Sequence, residues 1–551
     1  MRKFQVIFVL LVFFAIHTLH SQVENFNGQL SGGTNIRSVQ SEYFLIIFPE
    51  QCLKSAKELR EKADGICKKI CSQMNMTCPF KDMPVVITQS TDVYNAYFSN
   101  ASYNHIVLFD AAAQENLSLY SDTLLSTFEH ELTHALTVNQ KSQKLRHRLC
   151  NMIYWGDFVE TPSMIKEGAA VAQESRDGEG RLNSPFFLHT IAQAKLSGEF
   201  PSWADVLGSR DIYPAGSSAY IFGSSFTKWL QDKYGMQKYA DFWWEIINNF
   251  HISFRGGFQK VYGVNLNAAW KEFAKSIQVP SINSNPLQEE FVGDFFREGS
   301  NGSAKGSAGD TKKKSSKESS KFSTKNSSGY RYTNLSSCKK GFAYIEAQTS
   351  SVYFCQLNKD GSFAKPKKLF SQNGIDSISL SPDGAFLAVS YYSYNSMNVK
   401  TKVKFFNMES KEWTFIDETG LRDATVLIIG KQGPATEYAF AAVKTMGQES
   451  FIKTYRIKDG HAVEDKLVNL PDRDAVFCLC GGSGGNIAFL CKQGLEWKIK
   501  NLFVYGKNSG SGIEYSLGAK TELRSISFYY GKKALSGSSL GEIPYGQESL
   551  A

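Results

Sequence analysis

"STFEHELTHALTV", Ser126–Val138, sets His130 and His134 four residues apart with Glu131 between them. Each helical residue advances about 100°, so a helix here stacks the two imidazoles on one face. Phe128, Leu132, Ala135 and Leu136 then form an apolar stripe able to hold that helix in a core. Two imidazoles so placed reach one zinc ion, and Glu131 lies beside them to take a proton from bound water. A helix carrying incidental histidines is the plain alternative.

Zinc takes a third protein ligand in a catalytic site. A metzincin would carry Gly and His at positions 137 and 140; Thr137 and Gln140 stand there, which excludes that class. Downstream, "TPSMIKEGAAVAQES" opens a second helical segment after Pro162, with Glu167 early in it and Glu174 two turns on along the same face. Glu174 is placed to hold a ligand through a hydrogen bond. Taken alone, Glu167 reads equally as a ligand or as a surface glutamate.

"HELTHALT" followed by "KEGAAVAQE" resembles the gluzincin metallopeptidases, in which a helix after HExxH supplies a glutamate ligand within EGxA. "HELTHA" is similar to thermolysin-like enzymes, and the order of elements resembles peptidase MA-like domains of exported bacterial proteins. "AYIFGSSFTKWLQDKYG" and "FQKVYGVNLNAAWKEF" resemble later helices of such domains, so the likeness spans about Glu42 to Ser276. It implies zinc on His130, His134 and Glu167, Glu131 as general base, and Tyr220 as oxyanion donor, with Tyr213 the nearby competitor. The Gly-x-Met-Glu-Asn motif of zinc aminopeptidases is absent, which favours an endopeptidase or oligopeptidase. The strand "HIVLFD" reads either as an edge that pairs with extended substrate or as core.

With 551 residues, two or three domains are expected. "MRKFQVIFVLLVFFAIHTLHS" has a basic start, a short apolar run and a small polar end, the layout of a signal peptide over 1–21. Export to the periplasm or beyond is the expectation, and no later segment is apolar enough to span a bilayer. The ten cysteines are then compatible with disulfides. Cys67 and Cys71, one helical turn apart, bridge each other poorly, whereas Cys338 and Cys355 flank an expected hairpin and form the better pair.

The net charge of +8 does not indicate nucleic-acid binding, because seven lysines against Asp310 and Glu318 crowd into 299–329. That segment is almost pure Gly, Ser, Lys and Thr and reads as a flexible linker. Before it, 22–298 mixes strands with long helical patterns, including Leu53, Ala56, Leu59, Ala63, Ile66, Ile70 and Met74 at three- and four-residue steps. The expected class is α+β, a thermolysin-like catalytic domain followed over 330–551 by an all-β region. There, strands start near Phe342, Phe386, Tyr438 and Ile487, a propeller-blade spacing. "LSPDGAFLAVS" resembles the blade motif of TolB-like propellers; four or five blades are expected, with a β-sandwich as the other all-β reading.

The expected function is zinc-dependent hydrolysis of a peptide or protein substrate, with a possible protein partner at the propeller. The competing expectation is a non-catalytic envelope protein that binds a partner through the propeller.

Overall fold

In β2 (Phe44–Pro49), Phe44, Ile46 and Phe48 alternate inward into the N-terminal core. The structure is a computed structural model describing residues 30, 35–100, 103–111, 122–145, 148, 161–207, 216–249, 254–279, 332–394, 399–432, 434–458, 461–470, 475–493, 496–518, 528–529 and 549–550. The expected signal peptide (1–21), the expected linker (299–329) and Tyr213 lie outside the described residues.

β1 (Ile36–Gln40), β2, β3 (Met83–Thr88), β4 (Ala96–Ser99) and β5 (His105–Phe109) form one sheet in the order β1-β2-β3-β5-β4. β2, β3 and β5 run parallel, while β1 and β4 pair antiparallel at the two edges. "HIVLFD" is therefore interior, with every residue of β5 buried, and the edge beside the histidine helix is β4.

Among the described residues the helices are α1 (Leu53–Met74), α2 (Thr123–Val138), α3 (Ser163–Glu174), α4 (Pro185–Leu196), α5 (Trp203–Val206), α6 (Ser224–Tyr234), α7 (Met236–Asn248), α8 (Phe254–Tyr262) and α9 (Leu266–Ser276). A π-turn over Ala219–Gly223 runs directly into α6. None is long and apolar enough to cross a membrane. α1 buries Ala56, Leu59, Ala63, Cys67 and Ile70; Cys67 occupies the core position, and Ile66 is only half-buried. On α2, Phe128, Leu132, Ala135 and Leu136 are wholly buried, and Phe128 meets Phe44 edge-to-face at 5.4 Å. Burying each of the Phe and Leu side chains stabilises the fold by about 1.5–3 kcal/mol.

The C-terminal region is β-propeller-like: four consecutive four-stranded antiparallel sheets, each in sequence order. The first holds β6 (Tyr332–Cys338), β7 (Gly341–Glu346), β8 (Ser351–Gln356) and β9 (Lys367–Ser371). The second holds β10 (Ile375–Leu380), β11 (Phe386–Ser393), β12 (Lys400–Asn407) and β13 (Trp413–Phe415). The third holds β14 (Leu421–Gln432), β15 (Ala435–Met446), β16 (Glu449–Lys458) and β17 (His461–Asn469). The fourth holds β18 (Ala475–Gly481), β19 (Asn486–Gln493), β20 (Glu496–Phe503) and β21 (Gly512–Gly518). β22 (Phe528–Tyr529) pairs with β23 (Ser549–Leu550).

The repeat read from the sequence falls on the second strand of each sheet, β7, β11, β15 and β19. Alternation explains the stacking. Leu387 and Val389 of β11 pack toward the first sheet, while Ala388 between them packs toward the third. Val426 of β14 likewise faces the second sheet and Leu427 the fourth. Both faces of each middle sheet are thus buried, as in stacked blades rather than a two-sheet sandwich. In the "SPDG" turn, Gly384 adopts φ +67°, and Ser381 Oγ accepts the Ala385 and Phe386 N–H groups. Tyr438 of the next sheet donates to Asp383 at 2.6 Å.

Cys338 and Cys355 lie on β6 and β8, either side of β7, and are not bridged. Two strand spacings, about 9.6 Å, exceed the reach of a disulfide. The expected hairpin pair fails because a third strand lies between them.

The two regions touch. Asp92 N–H and Thr91 Oγ1 donate to the Val399 carbonyl at 3.1 and 3.0 Å. The Asp92 carboxylate accepts from Thr401 N–H at 2.9 Å and pairs with Lys400 at 3.1 Å. Thr123, the first residue of α2, donates to Gln448 in the β15–β16 turn at 3.2 Å.

Candidate metal centre

Asp122 caps α2 by accepting the Leu125 N–H at 3.0 Å, and the apolar stripe beyond it fixes the helix's rotation. His130 is consequently buried, and His134 stands one turn on and half-buried. Their Nε2 atoms lie 3.2 Å apart. Glu167 Oε2, from the first half of α3, lies 3.2 Å from His134 Nε2 and 3.5 Å from His130 Nε2. Among the described residues only this trio has ligand atoms all within 4.8 Å of one another.

The donor set fits a cation. Glu167 Oε2 is buried and has no hydrogen-bond donor despite its two close imidazoles. A buried carboxylate oxygen without a donor is costly unless a positive charge meets it. Burial opposes its ionisation, yet the two histidines hold the Glu167 carboxyl far below the usual carboxylate range.

The other ring nitrogen of His130 is occupied. Its Nδ1 lies 2.7 Å from Glu174 Oε2, as the shared helix face suggested, which leaves Nε2 to point at Glu167 and His134. Burial works against a charged His130, but the Glu174 carboxylate and then Glu167 outweigh it and lift the imidazole to about 9. Glu174 is itself held down to about 2: burial raises it, and Arg181 more than compensates. Arg181 grips Glu174 with Nε at 2.6 Å and Nη2 at 2.8 Å, and its guanidinium lies 5.2 Å over the Tyr220 ring. Nothing in the sequence reading pointed to Arg181. It follows a Gly-rich turn that carries no periodic pattern, and only its chain distance of seven from Glu174 hints at proximity.

Glu131 faces the sheet edge. Its Oε2 accepts the Phe98 N–H of β4 at 2.8 Å. Tyr220 sits in the π-turn, a geometry common at functional sites. Its ring lies parallel to His130 within 14° at 6.5 Å. Burial, then the Glu167 and Glu131 charges, push that phenol up to about 12, so it stays a donor at neutral pH.

Two glycines set the spacing between Glu167 and Tyr220. A Cβ on Gly168 would lie 2.8 Å from the Gly223 carbonyl oxygen, and one on Gly223 would lie 2.6 Å from that of Met164. The helix carrying Glu167 and the turn carrying Tyr220 therefore meet backbone to backbone.

No family model matches the chain. An uncharacterised protein of Treponema pallidum (strain Nichols) is 30% identical over 475 residues, which cover 85% of this chain and 39% of that protein. The chain thus spans about two fifths of the length of this relative. Similar solved structures include an acylaminoacyl peptidase of Pyrococcus horikoshii (14% identical, 33% of this chain and 32% of that one, TM-score 0.23). A protein assigned as TolB from Agrobacterium tumefaciens is 12% identical over 34% of this chain and 81% of that one, with a TM-score of 0.21.

Proposed function

We propose that the N-terminal region is a gluzincin-type, thermolysin-like metallopeptidase that hydrolyses bonds within peptide or protein chains. The observation that carries this reading is the convergence of His130 Nε2, His134 Nε2 and Glu167 Oε2, with Glu131 beside them. These three residues would hold zinc, which supplies Lewis acidity and lowers the pKa of water toward about 7.

The chain's own groups supply the rest. Glu131 takes the proton of the attacking water and returns it to the leaving amine nitrogen. Tyr220 donates its O–H to the oxyanion that develops on the scissile carbonyl. Arg181 and Glu174 keep His130 in one orientation and tautomer. The outer side of β4 offers backbone groups to an extended substrate, and Phe98 N–H is already taken by Glu131. In this reading 1–21 directs export to the periplasm or the exterior, and the propeller-like region has room for a protein partner.

The test is metal content of the purified full chain, alongside cleavage of a mixed peptide library with and without chelator. About one zinc per chain and chelator-sensitive internal cleavage are expected. Bound zinc with no cleavage of any peptide would instead favour a non-catalytic binding protein.

A further inference from the structure

The propeller-like region grips the connection that leads into β4, residues 89–95. The Val399 carbonyl accepts from Asp92 N–H and Thr91 Oγ1, and the Asp92 carboxylate takes Thr401 N–H at 2.9 Å and Lys400 at 3.1 Å. Lys400 Nζ also donates to the Gln89 carbonyl at 3.3 Å. From the third sheet, the β15–β16 turn closes on the same place: a Cβ on Gly447 would lie 3.0 Å from Gln89 Nε2 and 3.2 Å from Asp110 Oδ2. The start of the connection is therefore held from both the second and the third sheet.

Its far end reaches the histidine helix. Tyr94 is 7% exposed and packs with Ala111, apart from the main core. Its hydroxyl donates to the Thr123 carbonyl at 3.0 Å and contacts Thr127 Oγ1. Thr123, Thr127 and Glu131 follow at four-residue steps and so share one face of α2. Four residues after Tyr94, Phe98 N–H donates to Glu131 at 2.8 Å. In chain order, then, 92–98 is tied to the propeller-like region, next to Thr123 and Thr127, and last to Glu131.

Burial alone holds β4 weakly. All four of its residues are only half-buried, and β5 is its one partner strand. A short edge strand with few buried contacts opens at low cost in free energy. Its position is set by what its ends are fastened to.

We propose that the clasp on Asp92 by the propeller-like region positions β4 against Glu131, so that Asp92 and Tyr94 are positioning residues for peptide hydrolysis. This inference rests on the metallopeptidase reading of the metal centre. With the clasp closed, Glu131 and the outer side of β4 keep one arrangement relative to each other. Opening it frees β4 to move, which disturbs the proton acceptor and the substrate edge together. Misplacing a catalytic group by about 1 Å can cost on the order of 10²-fold in rate.

The test applies hydrogen–deuterium exchange and steady-state peptide cleavage to the full chain. In Asp92→Ala, exchange of the peptide covering 96–99 should quicken by about tenfold, as for a strand that opens more often. At wild-type zinc content, kcat should fall by about tenfold while KM rises several-fold. A mere loss of folded protein would lower kcat and leave KM where it was. Tyr94→Phe keeps the ring and cuts only the tie to α2, and it should act in the same direction. Asp92→Asn keeps an acceptor for Thr401 N–H and should recover most of the loss. Wild-type exchange at 96–99 in both Asp92→Ala and Tyr94→Phe overturns the proposal, whether or not any peptide is cleaved. Faster exchange with unaltered kcat and KM also overturns it, and leaves the metallopeptidase reading standing. A wild-type chain that cleaves no peptide removes that reading, and faster exchange in Asp92→Ala would then mark the clasp as a tie without a catalytic part.

Discussion

The two halves of the molecule bury polar groups in opposite ways. In the α+β half, His130, Glu167, Glu174 and Arg181 come from three separate segments and converge on one point. In the propeller-like half, short hydroxyls join one sheet to the next: Ser379 to Thr425 at 2.8 Å, and Thr425 to the Gly481 N–H at 2.9 Å. Even its buried ion pair, Arg422 with Asp423 at 2.5 Å, joins neighbours in the chain. Chemistry here is assembled from distant segments, whereas the repeating region is assembled from adjacent ones. A substitution in the first half should therefore change what the protein does, and one in the second should change how firmly it stands.

The sharpest contrast comes from Glu131→Gln. Peptide turnover should fall by about 10²–10⁴-fold, the usual weight of a general base. Zinc content and melting temperature should match the wild type. Normal turnover in this variant would falsify the assigned role of Glu131.

Phe405→Ala tests the other half. This side chain is 1% exposed between the second and third sheets, and its loss should cost about 3–5 kcal/mol in denaturant melts of the C-terminal region. Zinc content of the folded protein should be unaltered; a variant that loses metal while still folded would mean the halves are not separable in this way.

Tyr220→Phe keeps the ring beside His130 and removes only the donor. Turnover should fall by roughly 10²–10³-fold at unchanged zinc occupancy, as for loss of one oxyanion donor. Equal rates for both proteins would shift the role to another group, Tyr213 being the first to examine.

The smallest effect is expected where the halves meet. Trypsin has seven lysines to cut between 299 and 329, and the nicked fragments should still co-elute through the Asp92 contacts. Asp92→Ala should weaken that association by about 1.5–3 kcal/mol, the value of hydrogen bonds to a charged group, without altering zinc content. Fragments that part at once in the wild type would show that these contacts contribute little in solution.

Much of this was legible from periodicity. The stripe Phe128, Leu132, Ala135 and Leu136 fixed which way the histidines face, and Glu174 sat on the helix face of Glu167 as expected. The second strand of each sheet lay where the blade-length repeat placed it. The parts left open, misassigned or missed depend on which segment becomes whose neighbour. The strand "HIVLFD" has the same composition at an edge or in the interior, and only the added pairing of β4 decides it. Cys338 and Cys355 looked like hairpin partners until a strand was counted between them. Arg181 and the clasp of Asp92 by Thr401 join positions with no shared period, so the sequence carries no signature of either.

The contact between Gly168 and Gly223 has a consequence for how the site responds to heat and to redesign. Side chains can change rotamer, and a gap set by them drifts with temperature and with each substitution nearby. Here carbonyl oxygens press against bare α-carbons, so the approach of the two backbones that carry Glu167 and Tyr220 is set by main-chain van der Waals radii. Pocket engineering can reshape the walls around that axis, but the axis itself is a gauge block with no adjustable part.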